Sequence, residues 1–173
     1  MCSSANASCC QCDESAPMSW RNLMKVMPLM AGILLAAGAT VRAVDQALER
    51  TDPPGVSKPQ TYSHVVRAGN LLFVAGQVGF DADGKLVGPG MSEQYEQLLK
   101  NMKTVLASQG ADFSHIAKIT VFVTSIDEFR GADMSEIRAK YFGDVRPAST
   151  LVQVVRLAEP EIKIEIEAVA ALP

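Results

Sequence analysis

Apolar residues recur along the chain with two periods, and each period predicts an element. From Ser92 onward, Tyr95, Leu98, Leu99, Met102, Val105 and Leu106 fall on one face with Glu96, Lys100 and Lys103 opposite, which is the spacing of an amphipathic helix. Ser92 is placed to cap its start and Gly110 to end it in the left-handed conformation. Before the helix, Val66 on one side and Leu72, Phe73 and Ala75 on the other bracket the turn Ala68-Gly69-Asn70, which reads as a β-hairpin. A third strand over residues 77–80 is expected to run into Asp81-Ala82-Asp83-Gly84, whose Asp-Gly pair is turn chemistry.

After the helix, residues 116–124 (IAKITVFVT) are β-branched and almost wholly apolar, which predicts a central strand buried on both faces. Ser125 with Glu128, then Asp133 with Glu136, have capping-box spacing, so a short turn and a second helix should follow. Met134, Ile137 and Tyr141 would line that helix's inner face, and Gly143 would stop it. Residues 150–157 and 162–170 are the last two strands, parted by Ala158-Glu159-Pro160. In the final strand Ile162, Ile164 and Ile166 point one way and Lys163, Glu165 and Glu167 the other. The order implies one α+β domain, a mixed sheet with two helices on one face.

Two helices cover only one face of such a sheet, so the second face needs a partner. If the isoleucines meet the helices, the glutamates lie on that second face. Glu165 is then either solvated on an edge strand or enclosed in a cleft between subunits.

The 173 residues suit one domain with a tail. With 48% apolar and 20% charged residues, a mean hydropathy of +0.12 and a net charge of -3, the chain can bury a core and carries no global positive field for nucleic acid. Residues 26–41 are uncharged and follow Arg21 and Lys25, which is the grammar of a signal peptide within a leader spanning residues 1–43. Cleavage is expected after Ala39 or Ala43, and export to the periplasm or outside the cell follows; retention as an uncleaved membrane anchor is the alternative. The apolar run is short of the roughly 20 residues a permanent span needs. Asp13 and Glu14 fit this grammar badly, so Met18 or Met24 is the expected start. Removing residues 1–43 leaves 13 basic and 17 acidic residues, still net acidic. Residues 44–60, with Pro53, Pro54, Gly55 and Pro59, read as an extended lead-in to a domain spanning residues 61–173.

All four cysteines precede residue 13, so the domain uses neither disulfide nor thiol chemistry. Cys9 and Cys12 form one C-x-x-C, with no second pair and no nearby His to complete a zinc site. No metal or cofactor is expected.

The run Tyr62-Ser63-His64, Ala75-Gly76-Gln77, Lys118-Ile119-Thr120-Val121-Phe122, Arg146-Pro147-Ala148-Ser149 and Ile164-Glu165-Ile166-Glu167-Ala168 resembles the Rid family (YjgF, reactive intermediate deaminase). The resemblance spans about residues 60–171. It implies a chorismate-mutase-like fold, a homotrimer with its sheets around a central barrel, and three ligand clefts between subunits. It also implies hydrolysis of a small imine or enamine to a 2-keto acid and ammonia. On the same ground Glu165 would hold the hydrolytic water with Tyr62 beside it, and Gly76, Ser149, Thr150, Leu151 and His64 would line the ligand site.

The residues alone leave other roles open: Tyr62 as a strand-start aromatic sharing a face with His64, Gly76 as a bulge, and His64 as a satisfied structural histidine. One departure matters, because Ser149 stands where the family carries an arginine that grips the substrate carboxylate. Two functions therefore remain, an imine or enamine deaminase and a non-enzymatic trimer that binds a small ligand. A third, endoribonuclease, is opposed by the acidic balance, the lack of a Lys/Arg cluster in the sequence and the lack of a paired-His acid-base site.

Overall fold

The computed structural model describes residues 47–173. The leader, its start and its cleavage sites lie outside the described residues. Six strands form one mixed sheet: β1 (Glu49–Thr51), β2 (Val65–Ala68), β3 (Leu71–Gln77), β4 (Ile116–Val123), β5 (Ala148–Gln153) and β6 (Ile164–Ala171), in the order β1-β2-β3-β6-β4-β5. All neighbours are antiparallel except β4 and β5. Helices α1 (Met91–Ala107) and α3 (Ala132–Phe142) lie on one face, and α2 (Ile126–Phe129) is a single turn. The expected α+β architecture is the observed one.

The period of two in β6 decides which side is the core. Ile164 and Ile166 are at most 1% exposed and meet Leu98, Leu99, Met102, Val105 and Leu106 of α1 in one apolar cluster with Leu72, Val74, Val121 and Val123; Ile162, just before the strand, is buried too. Each such side chain contributes roughly 1.5 to 3 kcal/mol on burial. Gly110 takes φ +71, and the chain beyond it turns back so that the Ala111 N–H donates to Leu106 O at 3.0 Å, as expected of a glycine that ends a helix. Ser125 caps α2 by accepting from the Glu128 N–H.

Several expectations fail for identifiable reasons. Within the expected extended lead-in, residues 47–60 are packed, because β1 adds a strand beside β2 and Val56 enters the core at 7% exposure. The strand expected over 77–80 does not form. Gln77 ends β3, Asn101 Nδ2 takes the carbonyls of Val78 (3.1 Å) and Phe80 (2.7 Å), and only a single bridge joins Phe80 to Leu86. Ser92 does not cap α1: Gly90 holds that position, and the Glu128 carboxylate reaches across to accept from the Met91 N–H at 3.1 Å. Asp133 likewise makes no capping bond, and Gly131 precedes α3. β5 ends at Gln153 rather than 157, since its partner β4 ends at Val123, and Val155 projects fully into solvent.

β4 is central in the sheet yet buried on one face only, with Ile119, Val121 and Val123 inside and Lys118, Thr120 and Phe122 on the open side. Across that open side, Arg50, Val66, Phe73, Val169, Lys118 and Ala148 align in one cross-strand row. Phe73 is 45% and Leu71 37% exposed there. No helix among the described residues is long and apolar enough to cross a membrane.

One polar side chain welds the helix layer to the sheet. Gln94, wholly buried in α1, donates to Glu161 O at 2.9 Å and accepts from the Lys163 N–H at 2.8 Å. Gln94→Leu keeps the bulk but leaves both backbone groups without that partner, which costs roughly 1 to 3 kcal/mol for a buried unsatisfied group. Urea unfolding is expected to show a loss of about 2 kcal/mol; an unchanged midpoint would mean the weld contributes nothing.

Candidate functional site

The site begins with a register shift. β3 and β6 pair Val74 with Ala168 and Gln77 with Ile166, so Ala75 and Gly76 together oppose Glu167. This is a β-bulge, a device that re-aims side chains. Glu165, next along β6 on the open face, lies over the bulge. A Cβ on Gly76 would overlap Glu165 Oε1 and come within 2.7 Å of Cδ. The glycine is needed here for space, and the carboxylate fills that space.

Glu165 is half-buried. Burial raises its pKa above the ordinary glutamate value, and the like charge of Glu167 on the same face raises it further. Tyr62 stands close enough to feel that charge: its phenol pKa is raised by burial, then by Glu165, then by Asp52. Three carboxylates and one phenol thus share this corner of the sheet. The mouth is wet, since Tyr62 remains 54% exposed.

His64 is 4% exposed and lies in a bend before β2, not in a strand with Tyr62. Its ring meets Tyr62 edge-on at 6.0 Å between centroids. Both ring nitrogens are engaged, Nε2 with Ser57 O at 2.6 Å and Nδ1 with the Gln77 amide nitrogen at 3.2 Å. Within the chain neither ring nitrogen is left free for a ligand.

The remaining candidates do not join this cluster. Ser149 pairs with Ile119 and Leu151 with Val121, both core-facing residues of β4, so their side chains lie on the helix side of edge strand β5. Leu151 packs against the core, whereas Ser149 is exposed. Thr150 alone shares the open face, in the row Thr150, Thr120, Glu167. Beside the bulge a groove of about 360 Å³ is lined by Ala75, Glu167, Val66, Phe73, Lys118 and Thr120. Glu167, Asp52 and Gln77 were not singled out from the sequence as site residues. A polar Gln at a core-facing position of an apolar strand was the one available signal for Gln77.

Among the described residues no group of three or more His, Cys, Asp or Glu side chains is arranged to hold a metal ion. The fold does gather lysines that are scattered in the sequence. Lys100, Lys103 and Lys140 line a second hollow with Phe113 and Tyr141, where Glu96 sits 2.7 Å from Lys140 and 3.9 Å from Lys100.

Residues 56–172 match the family model described as Endoribonuclease L-PSP, the YjgF/RidA domain. The chain belongs to the Rid family. A RutC family protein of Pyrococcus horikoshii is 39% identical over 110 residues, 63% of this chain and 85% of that protein. The human protein named 2-iminobutanoate/2-iminopropanoate deaminase is 35% identical over 128 residues, 73% of this chain and 90% of that protein. Among solved structures, the Rid protein YyfA of Yersinia pestis superposes with a TM-score of 0.67 at 30% identity, covering 73% of this chain and all of that one. The fold is that of the Rid proteins.

Two predictions follow from the Gly76–Glu165 contact. Gly76→Ala should push the flexible carboxylate toward solvent, so that a carboxyl NMR titration finds Glu165 shifted back toward the ordinary glutamate range while the fold persists. An unmoved titration would mean the carboxylate does not depend on the glycine. The second concerns stability. A carboxyl whose folded pKa is raised costs nothing while protonated, and destabilises the fold as pH rises past the unfolded pKa of about 4.3. Glu165→Gln should therefore melt at or above the unmodified chain at pH 7, with the advantage vanishing below about pH 4. A lower melting temperature at pH 7 would contradict this sign.

Proposed function

We propose that this Rid protein is a hydrolytic deaminase of a small imine or enamine, its site completed between copies of the chain in a homotrimer. The observation that carries the reading is Glu165, half-buried over the Gly76 bulge and beside Tyr62. A carboxylate with a raised pKa at a wet mouth is suited to general-base work near neutrality. The relatives named as iminobutanoate and iminopropanoate deaminases support the same chemistry.

In the proposed reaction Glu165 takes a proton from water as the water oxygen bonds to the imine carbon and the C=N pair moves to nitrogen, and Glu165 then passes that proton to the nitrogen. The regenerated carboxylate takes the hydroxyl proton of the resulting carbinolamine and hands it to the amine, so that the C–N bond breaks and carbonyl product and ammonia leave. The Tyr62 hydroxyl orients water or nitrogen by hydrogen bonding.

The trimer is proposed because one chain holds only part of the predicted site. Ser149 lies two strands from β6 and on the opposite face to Glu165, so the two reach one ligand only across copies. The bare, half-apolar second face of the sheet favours the same assembly. Sedimentation of the full chain should give three times the 18.5 kDa monomer mass; a monomer would exclude a site shared in this way.

Ser149 also bears on the substrate. A hydroxyl cannot replace a guanidinium clamp, and the loss of roughly 1.5 to 3 kcal/mol weakens a 2-imino acid at least tenfold. The charges at Glu165, Glu167 and Asp52 point the same way, toward a ligand without a carboxylate. A trimer that binds such a ligand without turning it over is the second reading. A nuclease role draws little from the lysine hollow, because Glu96 already answers two of its three lysines. The leader's export signal would place this chemistry outside the cytoplasm.

The deciding assay follows carbonyl release from freshly generated imines with and without a carboxylate. The full chain should accelerate hydrolysis of the uncharged imine and act weakly on 2-iminopropanoate. Glu165→Gln should abolish both rates, and Ser149→Arg should raise the second at least tenfold. No acceleration of either imine would leave the ligand-binding reading.

A further inference from the structure

The groups bonded to His64 form a clamp beside Tyr62. The His64 N–H donates to Asp52 Oδ1 at 2.8 Å, and its carbonyl accepts from the Ala75 N–H at 2.9 Å. With Nε2 bound to Ser57 O, the proton lies on Nε2, which leaves Nδ1 to accept from Gln77 Nε2. The same amide nitrogen also donates to Ala75 O at 3.0 Å, across the bulge that seats Glu165. Gln77 is 2% exposed and its two bonds close on residues of the site.

Two of the four anchors come from the segment before β2. β1 brings that segment alongside, pairing Thr51 with Val65, so Asp52 arrives next to His64. Asp52 and β1 precede residue 56, where the family match begins.

We propose that His64, with Asp52 and Gln77, is a positioning residue: it fixes the Tyr62 phenol beside Glu165, and the segment from Glu49 to Ser57 is a working part of the site. His64 touches neither water nor ligand in this role. It offers Tyr62 a fixed ring edge two residues away in the chain, and it locks the bulge on its other side. The assignment deepens the deaminase reading and rests on it for its catalytic consequence only.

The test uses the full chain labelled with 3-fluorotyrosine, with the Tyr62 fluorine line identified by its loss in Tyr62→Phe. In His64→Ala that line should shift and broaden, and kcat for the uncharged imine should fall roughly tenfold, the order expected when a group is misplaced by less than 1 Å. KM should change less than about twofold, since uniform binding is untouched. His64→Gln keeps a donor for Ser57 O but offers Tyr62 no ring edge, and should leave both signals displaced. Should His64→Ala fail to fold, exposed Asp52 supplies the second pair: Asp52→Ala should move the Tyr62 line, and Asp52→Asn, which still accepts from the His64 N–H, should not. An unmoved line in folded His64→Ala or in Asp52→Ala overturns the proposal. A line that moves as expected in a chain that hydrolyses no imine sustains the positioning role and removes the deaminase reading instead.

Discussion

The missing side chain at Gly76 is the constraint from which the rest of the site follows. Two residues of β3 oppose one of β6, and only a residue without a Cβ leaves room there for the Glu165 carboxyl. That carboxyl is consequently neither in bulk water nor in the core. It keeps a raised pKa because its solvation is incomplete and because Glu167 shares its face. A larger residue would not break the sheet, since the atoms it would meet are the far end of a flexible side chain. It would move the carboxylate proposed as the base.

The sheet's one-sidedness supplies the second constraint. Alternation in β6 commits its isoleucines to the helix layer and thereby its glutamates to the open face, where no element among the described residues covers them. Phe73 and Leu71 are left exposed on that face, which is a costly arrangement for a chain that stays alone. The proposed trimer resolves both halves of this problem, covering the apolar rows and bringing β5 of one copy toward β6 of another. Helix α1 is held to the sheet by Gln94 as well as by its apolar stripe, so the open face rests on a rigid backing.

Most of the architecture was legible because it follows from period. The α1 stripe, the hairpin around Gly69-Asn70 and the alternation of residues 162–170 all appear where spacing put them. Caps and strand ends were not legible, because they are decided by groups remote in sequence. Glu128 took the N-terminus of α1 from Ser92, and Asn101 withdrew the carbonyls that a strand over 77–80 would have needed. The pairing of β1 was hidden for the same reason, behind a Pro-rich composition that reads as linker. At the site, resemblance placed Glu165, Gly76 and Tyr62 in one cluster. Period shows that Ser149 and Leu151 belong to the other face of the sheet, a consequence of parity along β5 that the motif alone does not reveal.

The charge pattern then limits what the site can accept. Within one chain the groups that act on Tyr62 and Glu165 electrostatically are carboxylates: Glu165 and Asp52 on the phenol, and Glu167 on Glu165. An anionic ligand entering this corner meets repulsion unless a cation is supplied from elsewhere, and the position where the family places that cation holds Ser149. A neutral imine meets no such penalty. Its protonated form is favoured, because two carboxylates on one face that resist joint ionisation are relieved by a positive charge between them. Iminium character at the carbon is also what water attack requires, so the field that disfavours an imino acid would assist an uncarboxylated imine at the reacting atom. Loss of the arginine is, on this argument, a change of substrate charge rather than a loss of the chemistry.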